Sequence, residues 1–222
     1  MSDATVKQKI TLHLRKTCSS LRYALYVIFH PFDGFWCLKR EKCGDVTAGT
    51  FILFLLFVVT VLSKQFTGFI FNFNDPREFD IVKEVLGVVV PVLLWTTANW
   101  GITTLMDGEG SLKDIYIACC YSLTPLVLTG LPLILFSRAI ALEEGAVYTV
   151  IYTISVIWSG FLLFSGTMIT HQYSLRKTLI TMVIVIVGMA LIVFLVMLFF
   201  ALIQELINFL FVFYKEYQLR FD

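Results

Sequence analysis

Between Leu105 and Asp114 the chain places three carboxylates, Asp107, Glu109 and Asp114, around two glycines, Gly108 and Gly110, with Ser111 shortly ahead of the last carboxylate. Carboxylates at this spacing can hold a divalent cation, bind a basic protein surface or solvate a turn. No cation-binding motif accompanies them, so no metal is expected. The two glycines permit the positive backbone angles of a tight reversal. Ser111, with Asp114 three residues on, makes a capping pair that starts a helix. Asp107 and Glu109 are then left over. The stretch Asp107, Gly108, Glu109 and Gly110 is a candidate hinge for docking a basic partner, and solvation of the turn is the plainer alternative.

A second stretch, WSGFLLFSGT from Trp158 to Thr167, followed by His171, has the residue types of an intramembrane serine protease, which needs a serine beside a base. The serines lack the surrounding G-x-S-x-G turn. His171 falls at the end of an apolar run beside a basic SLRK flank, which predicts an ordinary histidine at the membrane interface. His13 and His30 have no ligand-like partners, and no P-loop or dinucleotide fingerprint occurs. Cys18, Cys37, Cys43, Cys119 and Cys120 are odd in number and lack C-x-x-C spacing, so neither a disulfide framework nor a zinc site is expected. The expectation is a protein without catalytic residues or cofactors.

The elements that carry these residues are set by composition. Of 222 residues 58% are hydrophobic and 15% are charged, against roughly a quarter charged in soluble proteins. Mean hydropathy is +0.84. Apolar runs that reach the ~20 residues needed to cross a bilayer start at Val46, Val85, Ile115, Val147 and Thr178, the last ending at Ile203. The first run lies behind too many charges to be a cleavable signal peptide and is expected to stay in the mature chain. The reading is an all-α polytopic membrane protein of five transmembrane helices, preceded by an interfacial amphipathic helix. Residues 1–17 form a flexible basic tail, 18–45 the interfacial segment, 46–214 the five-span domain and 215–222 a short external end.

Within 18–45, Leu21, Leu25, Ile28 and Phe29 recur at helical spacing before His30-Pro31 stops the helix. This helix either lies in the inner interface with its aromatics among headgroups or packs against the bundle. The loop FNFNDPREFDIVKE carries Asn-Asp-Pro turn chemistry and room for a short amphipathic helix.

From Val85 to Thr104, Ile115 to Ser137, Val147 to Thr170 and Thr178 to Ile203 there is no Asp, Glu, Lys or Arg. Proton relays and ion-coupled transporters need such residues, which weighs against that class. Instead Pro91, Pro125 and Pro132 interrupt the second and third spans, with Ser122, Thr124 and Thr129 placed to satisfy freed carbonyls. Ser155 and Ser159 form a small-xxx-small pair on the fourth span. Asn99, an amide inside the second span, needs a partner, and Tyr121 or Ser122 of the third span is expected to supply it.

The stretch NWGITTLMDGEGSLKDIYIACCYSLTPLVL resembles the core signature of the Ypt-interacting protein family, especially its bacterial members. The matching residues are Asn99, Trp100, Asp107, Gly108, Gly110, Tyr121, Ser122 and Pro125, and HPFDGF, His30 to Phe35, is similar to the family's segment before the first span. The resemblance implies five spans with the amino terminus in the cytoplasm. It also implies a helix-packing and polar-core role for Asn99, Trp100, Tyr121, Ser122 and Pro125. In eukaryotic members it implies vesicle trafficking and binding of prenylated Rab-type GTPases. Some bacterial relatives are encoded beside sugar importers of the ATP-binding-cassette class, which suggests permease subunits as partners.

The expected function is therefore a non-enzymatic scaffold or accessory subunit of a membrane complex in the bacterial cytoplasmic membrane, in contact with the bilayer and a membrane-protein partner and with no nucleic acid. The alternatives are a small channel or lipophile carrier using a groove between proline-kinked helices, and a GTPase-binding trafficking protein. Orientation follows from the lysines and arginines, which cytoplasmic flanks retain. With the amino terminus inside, the inner side holds Lys7, Lys9, Arg15, Lys16, Arg22, Lys39, Arg40, Lys42, Lys113, Arg176 and Lys177, and the outer side only Lys64, Arg77, Lys83, Arg138, Lys215 and Arg220. A reporter fused after Asp222 should read external and one inserted at Gly110 cytoplasmic; finding both on one side would remove a span.

Overall fold

A computed structural model describes residues 20–68, 80–140 and 144–221, with side chains as far as Glu216. The basic tail at 1–17 and most of the Asn-Asp-Pro loop lie outside the described residues. Among the described residues there are helices and no strands. They are α1 (Ser20–Phe29), α2 (Pro31–Arg40), α3 (Val46–Phe66), α4 (Ile81–Leu105), α5 (Leu112–Ser122), α6 (Thr124–Ser137), α7 (Gly145–His171) and α8 (Leu175–Phe221). Taking α5 and α6 as one span, five helical segments are long and apolar enough to cross a bilayer.

Local chemistry starts these helices where the sequence says it should. Asp45 accepts from the Val46 N–H at 2.8 Å and Asp80 from the Val82 N–H at 2.9 Å. Ser111 and Asp114 form a complete capping box, each side chain bonded to the other's backbone N–H. These contacts satisfy donors that the first turn of a helix leaves over.

Before the first span, α1 and α2 form a hairpin that packs on the bundle. Pro31 opens α2, a place where its missing N–H costs nothing. A Cβ on Gly34 would lie 3.0 Å from Val27, so its absence lets the two helices touch. The buried ring of Phe35 then enters α7 at Gly166, where a Cβ would meet it at 3.0 Å. Trp158 of α7 donates to the Ile28 carbonyl at 3.2 Å. Ala24, Val27, Ile28 and Leu38 face the core, while Tyr26, Phe29, Phe32 and Trp36 are exposed. The hairpin thus packs against the bundle, the second of the two expected arrangements, with an aromatic face left exposed.

The third span is interrupted at one residue, Leu123. Helix α5 ends at Ser122, and α6 starts at Thr124 with Pro125 in its first turn. Proline has no N–H to give the Tyr121 carbonyl four residues back. Thr124 Oγ1 donates to that oxygen instead, at 2.7 Å, and Ser122 Oγ bonds the Ala118 carbonyl at 2.7 Å. The expected hydroxyl compensation is present, with Thr129 on the Pro125 carbonyl as well.

The fifth span is longer than the sequence reading made it. Helix α8 runs 47 residues, about 70 Å at 1.5 Å per residue, against a hydrocarbon core of ~30 Å. Gln204, Glu205 and Asn208 end the apolar run but not the helix, because no glycine or proline follows Ile203 to stop it. The segment from 215, expected as a short external end, continues this helix to Phe221.

Candidate functional site

The acidic hinge closes one end of the bundle, where α2, α4, α5 and α7 converge. Helix α4 ends in a Schellman-type turn: the Gly108 N–H reaches back to the Thr103 carbonyl at 2.8 Å, and Asp107 takes the left-handed conformation at φ 55°. This corrects the sequence reading, since neither hinge glycine has a positive φ. Asp107 carries the reversal itself, in a conformation that a short polar side chain tolerates better than most.

The glycines are needed for space. A Cβ on Gly108 would stand 2.6 Å from His171 Nδ1 and 2.8 Å from the Tyr173 hydroxyl. One on Gly110 would stand 2.6 Å from His171 Cε1 and 2.9 Å from Thr170. His171, expected at the interface, is instead buried at 2% exposure. Its Nδ1 accepts the Gly110 N–H at 3.3 Å. An accepting Nδ1 requires a neutral ring with its proton on Nε2.

Tyr173 completes the socket. It stacks on His171 with ring centroids 5.4 Å apart and donates its hydroxyl to the Met106 carbonyl at 2.9 Å. Burial, followed by the nearby Asp107 carboxylate, raises its pKa, so the hydroxyl stays protonated and able to donate. Gln172, between the two rings' positions, is left-handed at φ 55° and turns the end of α7 so that His171 and Tyr173 both face the hinge.

Helix α2 holds the hinge from the other side. Lys39 Nζ donates to the Glu109 carbonyl at 2.7 Å and to Asp114 Oδ2 at 3.0 Å. Its side chain is 14% exposed, so this pair is screened less than a surface one. Arg40 lies 3.8 Å from the Glu109 carboxylate, with both groups about half exposed, a geometry worth little. Of the hinge carboxylates, Asp114 is the one held closely by a cation of the chain itself, while Glu109 has only the loose Arg40 contact and Asp107 is exposed. Among the described residues Asp107, Glu109 and Asp114 do not form a metal-ligand group.

The polar-core residues separate. Asn99, Tyr121, Ser122 and Pro125 are buried, whereas Trp100 is 45% exposed on the outside of α4. The expected pairing of Asn99 with Tyr121 or Ser122 does not occur. The Tyr121 hydroxyl donates to the Ser20 carbonyl at 3.2 Å, tying α5 to α1, and Ser122 is spent on its own helix. Asn99 Oδ1 and Nδ2 and His171 Nε2 have no protein partner, and both residues line a cavity of ≈ 10 Å³ with Thr167 and Thr170. That volume suits a single bridging water. Ser155 and Ser159 are buried within the bundle, so their small face is used inside the chain.

The cysteines also depart from expectation. Cys37 and Cys43 are paired in a disulfide, with the Glu41 carboxylate 3.3 Å from Cys37 Sγ. The chain reverses after α2 through Lys42, at φ 54°, and this brings together two cysteines whose spacing alone gave no signal. Cys119 and Cys120 are buried and free in α5.

An all-helical bundle of five apolar spans, without a gathered catalytic set among the described residues, defines an integral membrane protein built around a glycine-lined turn. Residues 25–214 match the Yip1 domain. The match covers most of the chain, which therefore belongs to the Yip1 family. No curated protein and no solved structure matches it.

His171, Tyr173, Lys39 and Arg40 were missed as site residues, since each lies more than fifty residues from the hinge and outside its motif. The available signal was the glycine pair, which implies close approach as readily as an unusual φ. Gly110→Ala should lower stability in detergent by about 1–3 kcal/mol, and adding His171→Ala should recover part of that loss in a thermal-unfolding cycle. Gly101→Ala, in the same helix bundle but facing open space, should be neutral or stabilising by up to ~1 kcal/mol.

Proposed function

We propose that this chain is a non-enzymatic accessory protein that holds another membrane protein along α8. The observation that carries this reading is the disparity between α8 and the other helices. Only 6% of its most apolar window is buried within the chain, against 44% for the α5–α6 span. It packs along α4 and to a lesser degree α7, and from Phe194 to Tyr214 its large apolar side chains are exposed.

Gln204 and Asn208 lie one turn apart on this exposed length, with Glu205 beside them. Amides on an apolar helix favour association with a second helix that returns their hydrogen bonds, at about 0.6–2 kcal/mol each. The partner fitting this surface is an apolar transmembrane helix with polar groups at the matching level. A permease subunit of an ATP-binding-cassette sugar importer is the more specific form of this reading, supported by the resemblance to bacterial relatives. The hinge end would face the cytoplasm, in keeping with the cation bias, and the exposed Asp107 is the hinge carboxylate left to meet a partner there.

The test is purification of the full chain from native membranes, beside Gln204→Leu/Asn208→Leu. A stoichiometric membrane protein should accompany the wild type and be reduced at least about tenfold with the double variant. A wild-type chain that purifies alone, or a variant that keeps its partner in full, would remove this reading.

A further inference from the structure

The break at Leu123 has a consequence at the end of the bundle opposite the hinge. Helix α4 packs along α5 but hardly touches α6, which follows α3 and α7 instead. Between α3, α4, α6 and the start of α7 this opens a groove of ≈ 560 Å³, within the ~300–1,000 Å³ of pockets that hold small molecules. Its inner end is at Leu123, beside the break, and its rim is formed by Lys64, Tyr148 and Tyr152. From Leu56 to Lys64 the wall rises about 12 Å, close to the ~15 Å of one leaflet's hydrocarbon.

The walls are apolar in effect as well as in composition. Thr60 and Thr129 line the groove, but their hydroxyls are bonded to the Leu56 and Pro125 carbonyls of their own helices. At the rim the charges are unequally displayed. Lys64 pairs with Glu84, yet the lysine side chain is 38% exposed and the glutamate 11%. The rim therefore carries an ion pair whose cationic partner is the more exposed of the two. Arg138 lies nearby, donating through Nε to the Phe66 carbonyl at 2.8 Å.

The geometry points to a binding site for one glycerophospholipid, an acyl chain lying in the groove and the phosphate at the Lys64 rim. A slot about one leaflet deep, running from Leu123 to a rim where the cation of an ion pair is its more exposed partner, matches an acyl chain with an anionic head. This site is independent of the α8 surface and stands or falls separately from it.

Gly87 makes the site testable, because it lines the groove and a Cβ there meets nothing within 4 Å. Gly87→Phe adds a ring beside the groove at a position where a Cβ has room, and Gly101→Phe is the matched control on the same helix, where a Cβ also has room but which does not line the groove. The full chain is delipidated in mild detergent, titrated with phosphatidylglycerol or with diacylglycerol, and read by native mass spectrometry. Wild type and Gly101→Phe should each retain one phosphatidylglycerol, and Gly87→Phe should lose it at least about tenfold, with thermal unfolding confirming that it folds. Should Gly87→Phe fail to fold, Gly87→Leu, which favours the helix, is read in the same way. Equal retention by the Gly87 and Gly101 variants would overturn the site, and equal retention of diacylglycerol and phosphatidylglycerol would overturn the phosphate contact.

Discussion

The end of the bundle that holds the hinge depends on two missing side chains. With hydrogen atoms at Gly108 and Gly110, the imidazole of His171 comes within hydrogen-bond reach of the turn joining α4 to α5. That single contact joins three helices. It fixes where α7 ends, and so where Tyr173 stands and α8 begins. It also presents the Glu109 carbonyl and Asp114 to Lys39, which anchors the α1–α2 hairpin. A methyl group at either glycine would push the turn off the histidine and separate all of these elements together.

The two ends of the bundle are built on opposite principles. The hinge end is closed by polar contacts, several of them partly buried, where a hydrogen bond or an ion pair counts for more than in water. At the other end, α6 packs along α3 and α7, and polar contacts are confined to the rim, where the Gly68 N–H donates to Ser137 Oγ at 2.9 Å and Lys64 pairs with Glu84. Between these rim contacts and the midpoint, the break at Leu123 leaves an apolar groove. Helix α8 belongs to neither arrangement, since it lies along the outside of α4 with most of its length uncovered.

Much of this was legible in the sequence. The spans announce themselves by length and hydropathy, and Ser111–Asp114 reads as a cap because its partners are three residues apart. Pro125 with its flanking hydroxyls marks an interrupted helix, although whether a proline bends or breaks a helix depends on the room around it. What failed was long-range or rotational. The position of Trp100 on the outer face while its neighbour Asn99 is buried follows from the rotation of α4, which its nearly uniform apolar pattern does not encode. Lys39 is seventy residues from Glu109, and no local spacing predicts that they meet. The glycines were assigned to backbone freedom when their use is to admit a neighbour, and only the neighbour's position distinguishes the two. The extent of α8 was lost because three polar residues look like the end of a span, whereas a helix ends only where its backbone is interrupted.

The central claim is that the hinge is held by the chain itself, through His171, and is not a free loop awaiting a partner. Hydrogen–deuterium exchange of the peptide covering Met106 to Ser111, in the purified chain alone, tests it most directly. The account predicts protection of the Gly108 and Gly110 amides approaching that of α5, lost at Gly110 in His171→Ala while α5 itself stays protected. Exchange of the wild-type hinge at the rate of an open loop, or protection unchanged by removing the imidazole, would contradict it.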